Sequence, residues 1–508
     1  MEIKRGVRPD RSRYRMVAVL AVFAVVGAAC GGGSSGSAGN ASTSAATTAT
    51  TAATSGTTAA TPVTAAASPG AAAATPGTPA TAASGGLQHI GGSVSVWAEW
   101  TSTEQQDFLK ALAPFESQTG IHVNYQGKGN QTDTAVEAAV SGGAPPDVAL
   151  VPDPGTLVTL AKQGKLQPVG PIIGNLSSNF GSAWNNLVTV NNTLYGVWFK
   201  GANKNTIWYN PAEFAAAGIS SPPKTWEQLV SDSATLKAAG IAPLSLCTDV
   251  GWPVADMWQN VYLKTAGTAD YNKLAAHNIP WTDPTVSTAF STMGKLIQSQ
   301  YLVGGSTGAL SNGSYPNCVD KVFPKPGTAP SAAMVIEGDF VVSEITGNSS
   351  NYTAGTTGTG GAKCTTDASK TPCYDFFPFP APAADSANNG AIQGAGDVAM
   401  LLKSTPQAQE LIKYLAGPQG GAIWAHLGGF ATPNKTVSLD SYPNSVAKTD
   451  AQELQNASSF VFSLDDLQGT WEHQMWQDML NFVKNPTASN ITSIEHTMDS
   501  QAKAALGH

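Results

Sequence analysis

Residues 31–86 hold almost nothing but Gly, Ala, Ser, Thr and Pro, with no charged and no aromatic side chain. Such a tract cannot bury enough apolar surface to offset its ordering entropy. Any packed core must come from the residues after it. The tract itself reads as a flexible tether, stiffened locally at Pro62, Pro69, Pro76 and Pro79. The chain has 508 residues, so the remainder is long enough for two ordinary domains, each with its own core.

Ahead of the tether lies an export signature. Lys4, Arg5, Arg8, Arg11, Arg13 and Arg15 precede an apolar run of 14 residues, Met16 to Ala29. That run is short of the ~20 residues a membrane span needs, and it matches a signal-peptide core. Small residues and then Cys30 follow. The arrangement resembles the lipobox of bacterial lipoproteins, with Gly27 where that pattern usually has an aliphatic residue. The resemblance implies a lipidated Cys30 at the mature N-terminus and an extracytoplasmic protein anchored to the outer face of the membrane. The alternative is ordinary secretory cleavage with Cys30 incidental. On this reading residues 1–29 are the signal peptide and 30–91 the linker.

Charge narrows the function classes. Six of the 27 basic residues and two of the 35 acidic ones fall in residues 1–15, leaving 21 lysines against 33 acids and no arginine. A nucleic-acid binder needs a basic face, which this balance argues against. The missing guanidinium also disfavours ligands that are gripped through a carboxylate or phosphate. Four cysteines besides Cys30 predict two disulfides in an exported chain. Cys364 and Cys373 flank a short polar loop, which would leave Cys247 with Cys318, although three connectivities are open. No CxxC occurs and the histidines are scattered, so no metal is expected.

The rest of the chain alternates strand and helix signals. Ser93 to Trp97 reads as a strand, Phe108, Leu109, Leu112 and Phe115 as the apolar face of a helix, and Gly120 as its stop. Ile121 to Tyr125, a helix over Thr132 to Val140 and a buried strand Val148 to Val151 follow. This order implies a parallel sheet with helices packed on it. Ligands bind such sheets beyond the carboxyl ends of the strands, which places Trp100 to Ser102 and Pro152 to Gly155 towards a ligand. Helices are expected over Gln407 to Leu415, Gly420 to Leu427 and Thr470 to Val483.

Several segments recur in the order of one family: WTSTEQQDFLKALAPFESQTGIHV, GGAPPDVALVPDPG, LYGVWFKGANKNTIWYNPAEF, TWEQLV, GWPVADMW, YDFFPFP, GAGDVAM and LGGFATPNK. The pattern resembles bacterial extracellular solute-binding proteins of the carbohydrate-transport type. Through GWPVADMW, GAGDVAM and LGGFATPNK it is similar, more narrowly, to the α-glucoside-binding proteins of ABC importers. The stretch 332–340, AAMVIEGDF, departs from that subgroup. The resemblance implies a periplasmic-binding-protein type II fold, two α/β lobes joined by a hinge with the ligand cleft between them. Crossings are expected near Lys204 to Ile207, Phe376 to Phe379 and Asn434 to Val437. The lobes would then take 92–204 and 378–435 for the first, and 205–377 and 436–508 for the second. It also implies a monomer without cofactor that hands an oligosaccharide, an α-glucoside, to membrane permease subunits.

A sugar cleft needs aromatic faces for the C–H patches of the pyranose and carboxylates or amides for its hydroxyls. Trp100, on the loop after the first strand, and Trp252 with Asp256 four residues on are the first candidates. Thr101 and Glu104 read as a capping box, with a sugar contact as the other role of Glu104. Asp153 lies between two prolines after a buried strand, and Asp397 between close glycines and a strand. By resemblance Lys204 precedes the hinge, and the loop with Asp339 and Phe340 supplies an aromatic. Phe430 follows two glycines, and Trp471 and Trp476 share one helix. A secreted glycosidase, which needs two carboxylates ~5–9 Å apart, is the rival reading, with Glu99, Glu104, Asp339 and Asp397 as its acids. A binder of a non-sugar solute is a third. No GxSxG, HExxH or P-loop occurs, and the expectation is a binder rather than an enzyme.

If Cys30 carries the anchor, Cys30→Ser releases the protein into the medium on fractionation. Continued membrane association of the variant would contradict a lipid anchor at this position.

Overall fold

The computed structural model describes residues 86–348, 352–355, 373–457, 459–468 and 471–506. The signal peptide, Cys30, most of the linker and Cys364 lie outside them. Among the described residues no helix is long and apolar enough to cross a membrane.

The strands that carry the fold are β1 (Gly92–Ala98), β2 (Ile121–Gly127), β3 (Val148–Val151), β4 (Gly196–Asn203), β5 (Thr206–Tyr209), β6 (Met334–Ile336), β7 (Cys373–Pro378), β8 (Ala391–Leu401) and β9 (Ser459–Phe462). The helices that matter for the site are α1 (Ser102–Thr119), α2 (Thr132–Ser141), α3 (Pro154–Lys162), α4 (Trp252–Ala275), α5 (Tyr315–Val322), α6 (Val341–Asn348), α7 (Ser445–Asn456) and α8 (Glu472–Lys484). One sheet has the order β9-β8-β3-β1-β2, with β4 also paired to β8. Within it β1 runs parallel to β2 and β3, as the alternating sequence requires, while β8 is antiparallel to β3 and β4. A second sheet is built on antiparallel β5, flanked by β6 and β7.

Local sequence explains the first unit. In β1, Val94, Val96 and Ala98 are buried and alternate with less buried residues, the period of a half-covered strand. Helix α1 buries Phe108, Ala111, Leu112 and Phe115 on one face and ends at Gly120, whose φ of 67° is the left-handed conformation that glycine adopts freely. Leu109, expected on the apolar face, is instead 39% exposed, because it projects one residue off that stripe.

Each sheet has its own core. One apolar cluster runs from Val94 to Ala202 and resumes from Ala395 to Phe462. A second runs from Ile207 to Ala391 and resumes with Val461 and Leu464. A smaller third, around Trp208, Cys318 and Phe376, lies beside it. The apolar clusters change over at 203–206, next within β8, between Ala391 and Ala395, and last around β9. The later crossings differ from those expected near 376–379 and 434–437. Phe377 and Phe379 pack in the second core, whereas Val437, Ala447, Ala451 and Leu454 pack in the first. Long β8 and the apolar face of α7 carry the chain past both positions.

Cys247 and Cys318 form a disulfide. Cys373 is also disulfide-bonded, while Cys364 lies outside the described residues. Cys247, Cys318 and Glu337 lie close enough together to suggest a metal site, but with both sulfurs in the bridge neither is a thiolate ligand.

Candidate functional site

A cavity of about 180 Å³ opens between the two cores, beyond the carboxyl ends of β1 and β3. Its floor comes from β4 and β8. Lys200 and Asp397 face one another across these antiparallel strands, and the register slips by one residue immediately after Asp397. A bulge of this kind re-aims side chains. Gly396 beside it is held so close to β4 that a Cβ would lie 2.6 Å from the Lys200 carbonyl oxygen, which only glycine tolerates.

Lys200 is 3% exposed and donates to Glu104, and its Nζ lies 5.1 Å from the Trp424 ring centroid and 5.9 Å from that of Phe340. Burial alone would lower its pKa, but Glu104 and Asp397 outweigh that and hold the ammonium above its ordinary range. Beside this pair, burial raises Glu99 well above the usual carboxylate range, and the neighbouring Asp397 and Glu104 push it the same way. Asp397 is pushed up to about 6, mainly by burial and against the pull of Lys200. Glu99 and Asp397 hydrogen-bond to each other, so one proton is shared between two carboxyl groups. Asp397 Oδ1 is buried without a partner. It can accept one further hydrogen bond from a donor entering the cavity.

The opposite wall is aromatic. Trp252, at the start of α4, meets Tyr315 edge-on at 5.7 Å and Phe340 at 5.9 Å, and Tyr315 meets Phe340 at 5.4 Å. Gly251 positions Trp252. Its φ of 121° is closed to most other residues, and a Cβ there would strike the Trp476 backbone. Lys204 reaches in from the hinge, bound to Asp256 at 2.9 Å and Asp466 at 3.7 Å, with Nζ 5.9 Å from the Trp252 ring centroid. Asp133, Glu344, Asp466 and Glu472 complete an acid-rich lining. The arrangement offers apolar ring faces on one side and charged donors and acceptors on the other.

The candidates from sequence separate into two groups. Thr101, Glu104, Lys204, Trp252, Phe340 and Asp397 line the cavity. Trp100, Asp153, Asp256, Asp339 and Phe430 do not. Trp100 is 1% exposed and packs on Phe108 and Trp424 at 4.7 and 4.8 Å, so it is core, not a ligand face. Phe430 stacks on Trp424 in the same aromatic group. Asp153 caps α3, accepting from the Gly155 N–H at 2.6 Å and the Thr156 hydroxyl at 2.9 Å. Asp256 lies one turn beyond Trp252 but faces the hinge, spent on Lys204. Asp339 accepts from the Asn203 N–H at 3.2 Å and braces the hinge strand. The capping box is absent: Thr101 makes no side-chain cap bond, and Glu104 serves Lys200 instead. Trp476 lines the cavity and donates to Asp465, whereas Trp471 packs edge-on against Trp281.

Sequence reasoning missed Lys200, Tyr315, Asp133, Glu344, Asp466 and Glu472. Lys200 carried a usable signal: a single charge in the apolar strand Gly196–Asn203, all of it buried. Tyr315 had none, since its place depends on a distant helix.

The Asp397 carboxyl sets a pH dependence. Its unfolded-state pKa is about 4, and the native value is about 6. The native protein therefore binds this proton more tightly, and the contribution of Asp397 to stability falls as pH rises across that window. Asp397→Asn is expected to flatten the fall, measured by urea unfolding at stepped pH. An unchanged curve would place the proton elsewhere.

The model of the bacterial extracellular solute-binding protein family matches residues 97–422. The osmoprotective compounds-binding protein GgtB of Synechocystis sp. is 28% identical over 407 residues, covering 78% of this chain and 90% of its own. The alpha-glucosides-binding periplasmic protein AglE of Rhizobium meliloti is 27% identical over 419 residues, covering 79% and 86%. Among solved structures, the bacterial solute receptor AcbH, described with a preference for β-D-galactopyranose, superposes with a TM-score of 0.69 at 19% identity, covering 82% of this chain and 99% of its own. That likeness shows the expected type II fold of two α/β lobes. The chain belongs to the family of bacterial extracellular solute-binding proteins.

Proposed function

We propose that the cleft captures a neutral oligosaccharide, an α-glucoside, and presents it unaltered to the permease of an ABC importer. The observation that carries this reading is the pairing of an aromatic wall, Trp252, Tyr315 and Phe340, with a floor of hydrogen-bonding charges at Lys200, Glu104 and Asp397. Ring faces cover pyranose C–H patches, and fixed carboxylates accept from hydroxyls. Both lysines are already bound to carboxylates, so neither is free to select an anionic solute. The name of AglE supports the α-glucoside class, and that of GgtB an osmoprotective compound. The protein acts as a monomer, tethered through residues 30–91 to a lipidated Cys30 at the outer face of the membrane.

A thermal-shift panel tests the ligand class. Maltose, trehalose and longer α-glucosides are compared with galactose, amino acids and peptides. A ligand at 100 times its Kd adds about 2.7 kcal/mol of stability. A shift with a peptide and none with any α-glucoside would reject the class.

Trp252→Ala is expected to weaken sugar binding by about 1–3 kcal/mol, read by calorimetric titration of the folded variant. Wild-type affinity in that variant would remove Trp252 from the ligand face.

A further inference from the structure

Tyr315 opens α5 in the second lobe, and its hydroxyl has two carboxylates within reach. Glu104 of α1, in the first lobe, accepts at 3.4 Å through Oε2. Glu344 of α6, in its own lobe, is also hydrogen-bonded by Tyr315. A phenol has one proton to donate, so the two acids compete for it. Burial and the surrounding acids, Glu104 first among them, raise the Tyr315 pKa well above its ordinary value, so it remains a donor. The ring is fixed edge-on against Trp252 and Phe340. Relative movement of the lobes, rather than ring rotation, therefore selects the acceptor.

We propose that Tyr315 is a latch between the lobes: its hydroxyl bonds Glu344 when the lobes separate and Glu104 when they meet, with the Cys247–Cys318 bridge holding it in position. This rests on the reading of the cleft as one that closes over a solute. The bridge lies where such a brace is needed. Cys318 is three residues beyond Tyr315 on α5, and Cys247 lies five before Trp252, with their Cα atoms 5.4 Å apart. It fixes the start of α5 to the loop that leads into α4, and so fixes Tyr315 relative to Trp252.

Among the described residues, two of the five non-glycine residues with positive φ lie at the same rims. Ser102, two residues before Glu104, has φ 50°, and Asp249, which accepts from Asn130 of the first lobe at 3.3 Å, has φ 32°. Non-glycine residues in this region are costly and concentrate where conformation switches. Both strained residues lie beside contacts that cross from one lobe to the other.

The test compares wild type, Tyr315→Phe, and Cys247→Ala with Cys318→Ala. Tyr315→Phe keeps the ring and removes only the hydroxyl. Amide hydrogen exchange over 102–106, in the lobe opposite the mutation, is expected to quicken in Tyr315→Phe and in the cysteine pair. Maltose should dissociate about tenfold faster from Tyr315→Phe, the factor one such hydrogen bond supplies. Unchanged exchange over 102–106 overturns the latch. If maltose fails to bind wild type, the proposed ligand class fails, while the exchange data still decide the latch.

Discussion

Two ammonium groups four residues apart, Lys200 within β4 and Lys204 in the hinge, make the acid-rich cleft tolerable. An isolated carboxylate taken out of water is costly, and two facing carboxylates are costlier. Lys200 offsets Glu104 and Asp397, which come from α1 and β8. Lys204 offsets Asp256 and Asp466, which come from α4 and the segment before α8. One stretch of chain thus collects acids from both halves of the molecule. Because that stretch leads into the crossing between the two cores, the charge balance of the cavity and the geometry of the hinge are coupled.

Behind the charges stands a buried aromatic layer. Trp100, Phe108, Phe199, Trp424 and Phe430 form a chain of ring contacts at centroid distances of 4.7 to 6.2 Å and back the Lys200 ammonium. Their role is to fix the β4 floor, since a close-packed core holds its neighbours in one arrangement. The second lobe presents its aromatics differently. Trp252, Tyr315 and Phe340 remain partly exposed at the cavity, held by the turn at Gly251 and by the bridge to Cys318. One lobe supplies a rigid charged floor and the other an aromatic cover.

The sequence made the first sheet legible because its strands and helices are local and strongly patterned: β3 falls at Val148–Val151 as expected, and α1 ends at Gly120. The later crossings were not legible. Which core Val437 or Phe379 joins depends on the path of β8 and α7, not on local periodicity. The same holds for the site. Trp252 and Asp397 could be found from the glycines around them, which mark tight turns and close approach. Trp100, on the loop after a strand, and Phe430, after two glycines, face inward instead, because what packs behind each ring sets its direction. Glu104 shows the reverse case: a local helix-start explanation was available, and a distant lysine overrode it.

The central claim is that this cleft holds an uncharged sugar between the lobes and returns it unchanged. The most direct test is to titrate the purified protein calorimetrically with maltodextrins of defined length, then release the bound fraction and determine its length by mass spectrometry. The account predicts one sugar per chain, recovered at its original length. Recovery of shortened products, or heat only with a charged solute, would contradict it.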